Sequence, residues 1–220
     1  MNRMNQLLFY LNTCVVQIPK SGSNSIFFAH QELSGHLVPY DLRPSFKMEH
    51  ANPATSKELT LHLRAPLERF WAGFRQDFLN SNTDNFEDYC KKNIELILNP
   101  VKDLSYKDDS VLHTKEDILF RIKRILELTE GWWEIVHLES AKKINTWLYK
   151  KWNYKKTLQL NQHDIFLKRK LNKLRKNNPT WDNKVLNLPY IKKEQKLYSH
   201  LGRCFGINEF IKIILLIYKD

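Results

Sequence analysis

Three short apolar runs, each followed at once by a helix-periodic segment, limit what this chain can fold into. Cys14 to Ile18 precedes a helical pattern over Ser25 to Leu33, and Glu58 to Leu63 precedes one from Pro66 to about Leu79. Glu134 to Leu138 precedes another, from about Ser140 to Trp152, with Ile144, Trp147 and Leu148 on its inward face. Runs this short and this apolar read as buried strands. Parallel strands need a crossover connection, and a helix is the usual one. The alternation predicts a three-layer α/β fold with a mostly parallel central sheet flanked by helices.

The first unit carries the sharpest chemical signal. Its strand and helix are joined by Ile18-Pro19-Lys20-Ser21-Gly22-Ser23-Asn24-Ser25-Ile26. A small-residue loop ahead of a helix N-terminus presents backbone N–H groups to an anion, and the helix dipole favours negative charge there. Lys20 adds a point charge and the serines add hydroxyl donors. In a Walker A loop the Lys follows the last Gly. Here Lys20 precedes Gly22, and no Gly-Lys-Ser/Thr follows. The loop suits a phosphate-like group without being an ordinary ATP or GTP loop.

The second unit runs Glu-Leu-Thr-Leu-His-Leu into Arg64-Ala65-Pro66-Leu67-Glu68-Arg69-Phe70-Trp71-Ala72-Gly73-Phe74. Pro66 suits the first turn of a helix. Leu67, Phe70, Trp71 and Phe74 recur at helical spacing and are expected in the core. Arg64 falls at the strand's C-terminal end, where open parallel sheets bind ligands. Its forked guanidinium matches two phosphate oxygens at once.

Together the two segments resemble the sulfotransferase family, and its carbohydrate-type branch more than its cytosolic small-molecule branch. The resemblance implies a P-loop-type fold. It also implies that Lys20, Ser21, Gly22, Ser23, Asn24 and Ser25 hold the 5′-phosphosulfate of 3′-phosphoadenosine-5′-phosphosulfate (PAPS). Arg64, Pro66, Arg69 and Phe74 match the family's second motif, in which the first Arg binds the 3′-phosphate. Two positions depart: Ala65 stands where Asp is usual, and Ala72 where the 3′-phosphate Ser is usual. The strand–Glu–helix unit around Glu139 is also similar to the family. The resemblance is specific over residues 13 to 35 and 58 to 75.

Sulfuryl transfer needs a cation at the leaving-group oxygen, a base for the acceptor proton, and donors that hold the nucleotide in line. The resemblance assigns Lys20 to the first role. For the base it points to His50, in Lys47-Met48-Glu49-His50-Ala51, ahead of the second motif's strand. A neutral imidazole near its usual pKa of about 6.5 suits that task. Glu49 and His113 are the alternatives. His62 alternates with Leu61 and Leu63, so a buried, hydrogen-bonded histidine is expected there rather than a base. Trp71 is expected in the core rather than under an adenine. For Arg69 a surface salt bridge and a structural role beneath the site stand level.

The 220 residues, 42 % of them hydrophobic, suggest one domain over 1–220, helix-rich from about residue 140 onward. Cys14, Cys90 and Cys204 have no metal-ligand spacing and make no disulfide framework, which fits a reducing compartment. Leu7 to Leu11 is too short for a signal-peptide core, and Phe210 to Tyr218 falls short of the roughly 20 residues of a spanning helix. A soluble, cytoplasmic protein with no membrane anchor is expected. No metal is expected either, since the resemblance implies that transfer from PAPS needs none.

The net charge of +11 favours anionic partners. A PAPS site, an anionic glycan acceptor and nucleic acid would each use it, and solvated Lys-rich faces account for the rest. Nucleic acid has no motif behind it and is not expected as a partner. The run Lys168-Arg169-Lys170, Lys173, Arg175-Lys176 lies on one helix expected over Asp164 to Lys176. It reads either as a solvated face or as a rim that steers an anionic acceptor. Glycan, lipid, peptide tyrosine and small molecule all remain open as acceptors. A non-catalytic relative that binds the nucleotide or a polyanion is the second reading, kept alive by Ala72.

Further elements follow from periodicity. Short strands are expected near His36 to Tyr40 and Phe46 to Glu49, and helices over Asn85 to about Leu98 and Lys115 to Leu128. Helices near Ile191 to Leu201 and Asn208 to Tyr218 close the chain.

Overall fold

The computed structural model describes residues 7–10, 13–16, 23–34, 58–81, 83–98, 132–138, 141–156, 162–200, 205–206, 212–213 and 215–217. The strands expected near residues 36–40 and 46–49 and the helix expected over 115–128 lie outside them. The chain divides into two compact units. Unit 1 comprises Met1–Ala65, Ile118–Leu158 and Lys193–Asp220, and unit 2 comprises Pro66–Asp117 and Gln159–Lys192.

Unit 1 is built on a five-stranded sheet in the order β1-β2-β3-β4-β5. Its strands are β1 (Leu7–Tyr10), β2 (Thr13–Val16), β3 (Glu58–Arg64), β4 (Trp132–Leu138) and β5 (Phe205–Gly206). The pair β1–β2 is antiparallel, with Leu7 opposite Val16 and Tyr10 opposite Thr13. The pairs β2–β3 and β3–β4 are parallel, with Val16 opposite Leu61 and Arg64 opposite Leu138. The short β5 runs antiparallel to the start of β4. Residues 7–10 read only as a short apolar run in the sequence, but as β1 they extend the sheet beyond β2.

Strand β3 is covered on both faces. Leu61 and Leu63 point one way and are buried, while Thr60 and His62 point the other way and are buried too. Helix α1 (Ser23–Ser34) presents Ile26, Ala29 and Leu33 inward, one or two turns apart. They pack with Ile144, Trp147, Leu148 and Trp152, so the helix that follows β4 shares their cluster with Val15 of β2. Burying each large apolar side chain of this kind stabilises the fold by about 1.5–3 kcal/mol.

That helix, α4 (Ala141–Trp152), ends on a left-handed residue, Asn153, at φ 51°. Asn tolerates this region better than most residues. The Asn153 N–H donates to the Tyr149 carbonyl at 3.0 Å, a cap of the left-handed type. The turn sends Tyr154 back into the same cluster, where its hydroxyl donates to Glu32 Oε2 of α1 at 3.0 Å.

Unit 2 is helical among its described residues. It holds α2 (Pro66–Leu79), α3 (Phe86–Leu98), α5 (Gln162–Asn177), α6 (Thr180–Leu186) and the start of α7 (Pro189–His200). Pro66 opens α2, a position where its missing N–H costs nothing. Asn85 caps α3: its Oδ1 accepts from the Glu87 N–H at 3.0 Å, and Glu87 and Asp88 suit the positive end of the helix dipole. The core is aromatic. Phe70, Trp71, Phe74, Phe78, Phe86 and Tyr89 are all buried, with Phe78 and Phe86 edge to face at 4.8 Å.

One polar network ties these helices together. Asp182 Oδ1 accepts from Trp71 Nε1 at 2.9 Å and from Arg175 Nε at 2.9 Å, and Oδ2 accepts from Arg175 Nη2 at 2.8 Å. The two-pronged Arg–carboxylate pair fixes both angle and distance. Arg175 also lies over the Trp71 ring, at 5.2 Å from its centroid. Truncation by Asp182→Ala strands a buried indole N–H and a largely covered guanidinium. The expected loss is about 2–4 kcal/mol, read by urea unfolding as a lower midpoint at unchanged slope. A loss below half a kcal/mol would show that the network does not hold the helices.

Candidate functional site

Strands β2 and β3 are parallel neighbours, so their carboxyl ends, at Val16 and Arg64, leave the sheet in the same direction. Strand β4 ends alongside, with Leu138 opposite Arg64. This is the edge at which open parallel sheets gather ligands. The chain leaving Val16 is next described at Ser23, the first residue of α1. Helix α1 therefore begins earlier than the expected Ser25. Ser23 and Asn24 stand in its first turn rather than in the preceding loop, and Ser25 is half-buried. That first turn contains no acidic residue. Its orphan N–H groups and dipole keep their preference for an anion.

Lys20, Ser21 and Gly22 lie outside the described residues, and so do His50, Glu49 and His113. Of the anticipated site, the structure describes Ser23, Asn24 and Ser25 on α1 and Arg64 on β3. By strand alternation Arg64 shares the sheet face of Thr60 and His62, and it is half-buried.

His62 differs from its expectation in one respect. It is buried, but neither ring nitrogen has a hydrogen-bond partner among the described residues, and neither does Thr60 Oγ1. The imidazole instead meets Trp147 edge to face, at 4.6 Å and 87°. Burial pushes its pKa down to about 3, so the ring is neutral at physiological pH. A group so enclosed takes no proton from an acceptor at the surface.

The residues of α2 sort themselves by burial. Trp71 is fully enclosed and gives its N–H to Asp182, which makes it core and not a platform for a base. Arg69 is 0 % exposed, so it does not stand in a surface salt bridge. Glu68 faces Arg175 Nη1 at 3.5 Å. Ala72 is buried as well, at 7 % exposed. In α3, burial foremost and Glu87 second push the Cys90 thiol up to about 12, so it is no nucleophile. Among the described residues no group of His, Cys, Asp or Glu could hold a metal ion, and no helix is long and apolar enough to cross a membrane.

Sequence reasoning missed the clamp on Glu32. Its Oε2 meets Lys156 Nζ at 2.9 Å and accepts from the Tyr154 hydroxyl. The hydrogen bond from Lys156 foremost, then that from Tyr154, hold the Glu32 carboxyl below its usual range. Burial foremost, then Glu32, push the Tyr154 phenol up to about 12. The clamp ties the C-terminal half of α1 to the turn after α4 and so helps fix the helix whose first turn carries Ser23 to Ser25. Nothing local signals it, because the partners lie more than a hundred residues apart in the chain.

No protein-family model matches this chain, and no curated protein or solved structure is significantly similar to it.

The buried His62 has a measurable consequence. The unfolded chain takes up a proton near pH 6.5 that the folded ring refuses until about pH 3. Stability from this group is complete above pH 6.5 and is lost as pH falls toward 3. Comparing wild type with His62→Phe across that range should show a flatter acid limb for the variant. Identical profiles would show that the ring is exposed or paired.

Proposed function

We propose that this chain is a PAPS-dependent sulfotransferase, built on a three-layer α/β fold of the P-loop type. The observation that carries the reading is the parallel pairing of β2 with β3. It sets the carboxyl ends of the two strands, at Val16 and Arg64, at one edge of the sheet. In this reading the two cationic motifs, about forty residues apart in sequence, serve one polyanionic nucleotide. The acid-free first turn of α1 supports the reading further, since it leaves N–H groups for a phosphosulfate. Ala72 does not support it, because it lacks the hydroxyl usual at that position.

PAPS supplies the sulfuryl group and a phosphate leaving group. In this reading Lys20 neutralises the charge that grows on the leaving oxygen, and Ser21 to Ser25 hold the 5′ end in line. Arg64 holds the 3′-phosphate with two N–H donors. His50 takes the proton that the acceptor hydroxyl or amine gives up as its bond to sulfur forms. The work is positioning and charge stabilisation. The acceptor favoured by the resemblance is a carbohydrate. The non-catalytic relative keeps its place because a buried Ala72 removes one phosphate donor.

Calorimetric titration of 3′-phosphoadenosine-5′-phosphate (PAP), with AMP and ATP as controls, separates the readings. A 3′-phosphate site predicts PAP binding that AMP and ATP do not match. Arg64→Ala should weaken it about tenfold or more, the usual cost of losing a charged phosphate contact. Lys20→Ala should abolish transfer of labelled sulfate while the far-UV spectrum stays unchanged. Equal affinity for PAP and AMP, or an unaffected Arg64→Ala, would remove the nucleotide site.

A further inference from the structure

The outer face of α5 has no structural explanation. Leu167 and Leu171, with Leu174 beside them, turn one side of this helix into the core of unit 2. Arg169, Lys170, Lys173 and Lys176 stand on the remaining arc and are all exposed. From residue 165 to residue 177 the helix contains no acidic residue. Arg175 is the exception among its cations, turned inward to Asp182 and Glu68. The other five, Lys168 among them, have no ion-pair partner among the described residues.

These cations also crowd one another. Arg169 and Lys173 are four residues apart, and Lys170, Lys173 and Lys176 follow at intervals of three. Like charges at those spacings are neighbours on a helix and destabilise it. A face that only needed solubility would intersperse Glu, as Glu87 and Lys91 do on α3 at 3.3 Å. Beside this arc, at the start of the helix, Phe166 is 54 % exposed, with the Lys170 ammonium 5.0 Å from its ring centroid.

We propose that the exposed face of α5 (Phe166, Arg169, Lys170, Lys173 and Lys176) is a peripheral contact site for an anionic phospholipid surface. The charges are complementary, and long Lys and Arg stems can reach a plane from both flanks of a cylinder. A helix packed along one side by Leu167, Leu171 and Leu174 and exposed along the other offers a convex arc to a flat surface. A single nucleic-acid strand is gripped in a groove between stacking rings. Here the exposed Phe166 ring already has a lysine over it. Phe166 supplies the apolar residue that an interfacial helix places at the headgroup boundary. The contact is electrostatic and reversible, not an anchor.

The test is co-sedimentation of the full chain with phosphatidylserine-containing vesicles, against pure phosphatidylcholine vesicles and a single-stranded RNA. The expected result is binding to the anionic vesicles alone, weakening as salt rises. The double change R169E/K173E should reduce it about tenfold or more, since each cation near such a surface contributes about fivefold. The pair K150E/K155E, at exposed lysines of unit 1, makes the same change in net charge and should reduce it less. Phe166→Ala should lower the binding that remains at high salt. Circular dichroism checks that the exposed substitutions leave the helices intact. No binding to anionic vesicles overturns the proposal, as does equal loss in the two pairs or binding to RNA without binding to vesicles.

Discussion

Strand β3 sits between two parallel neighbours with both of its faces covered, and unit 1 is organised around that enclosure. A slip of one residue would exchange Leu61 and Leu63 for Thr60 and His62 on each face. It would also break two ladders at once. The register is thus held by packing from above and below and by hydrogen bonds from both sides. It sets the carboxyl end of β3 at Arg64 and the direction in which the chain departs from Val16. The candidate site inherits its geometry from this one strand.

The enclosure has a cost, visible in Thr60 and His62. Both are polar, both are buried, and their polar side-chain atoms have no hydrogen-bond partner among the described residues. The near-perpendicular contact with Trp147 offsets part of the penalty, because edge-to-face ring pairs are favourable. The arrangement holds the histidine neutral and separates it from chemistry.

Unit 2 solves a different problem with different means. Its described helices share an aromatic core, and aromatic rings alone leave rotational slack between helices. The Asp182 carboxylate removes that slack by holding Trp71 and Arg175 at fixed angles. With Arg175 committed inward, the other cations of α5 remain on the outside, crowded and unneutralised. Structural and surface roles are thus divided among cations of one helix by the side to which each points.

Much of the local structure was legible. The apolar run at Glu58 to Leu63 forms β3, and Pro66 with the spacing of Phe70, Trp71 and Phe74 marks α2 and its buried face. Asn85 announced the start of α3, and Ile144, Trp147 and Leu148 announced the inner face of α4. These signals are local, since capping and periodicity act within a few residues. The strands β1 and β5 were not legible: four and two residues long, they gain meaning only from the partner they pair with. Helix α6, in a stretch rich in Asn and Pro, is held by contacts distant in sequence. Along the candidate site the sequence supplied the residue types, the anion-friendly loop and an arginine at a strand end. The tertiary structure decided which strands are neighbours, that Arg69 is buried, that His62 is enclosed with no hydrogen-bond partner among the described residues, and that Glu32 is clamped from the far side of the chain. Composition and spacing encode what a segment prefers by itself. Which segments meet, and which polar groups are closed off from water when they do, is settled only when the whole chain packs.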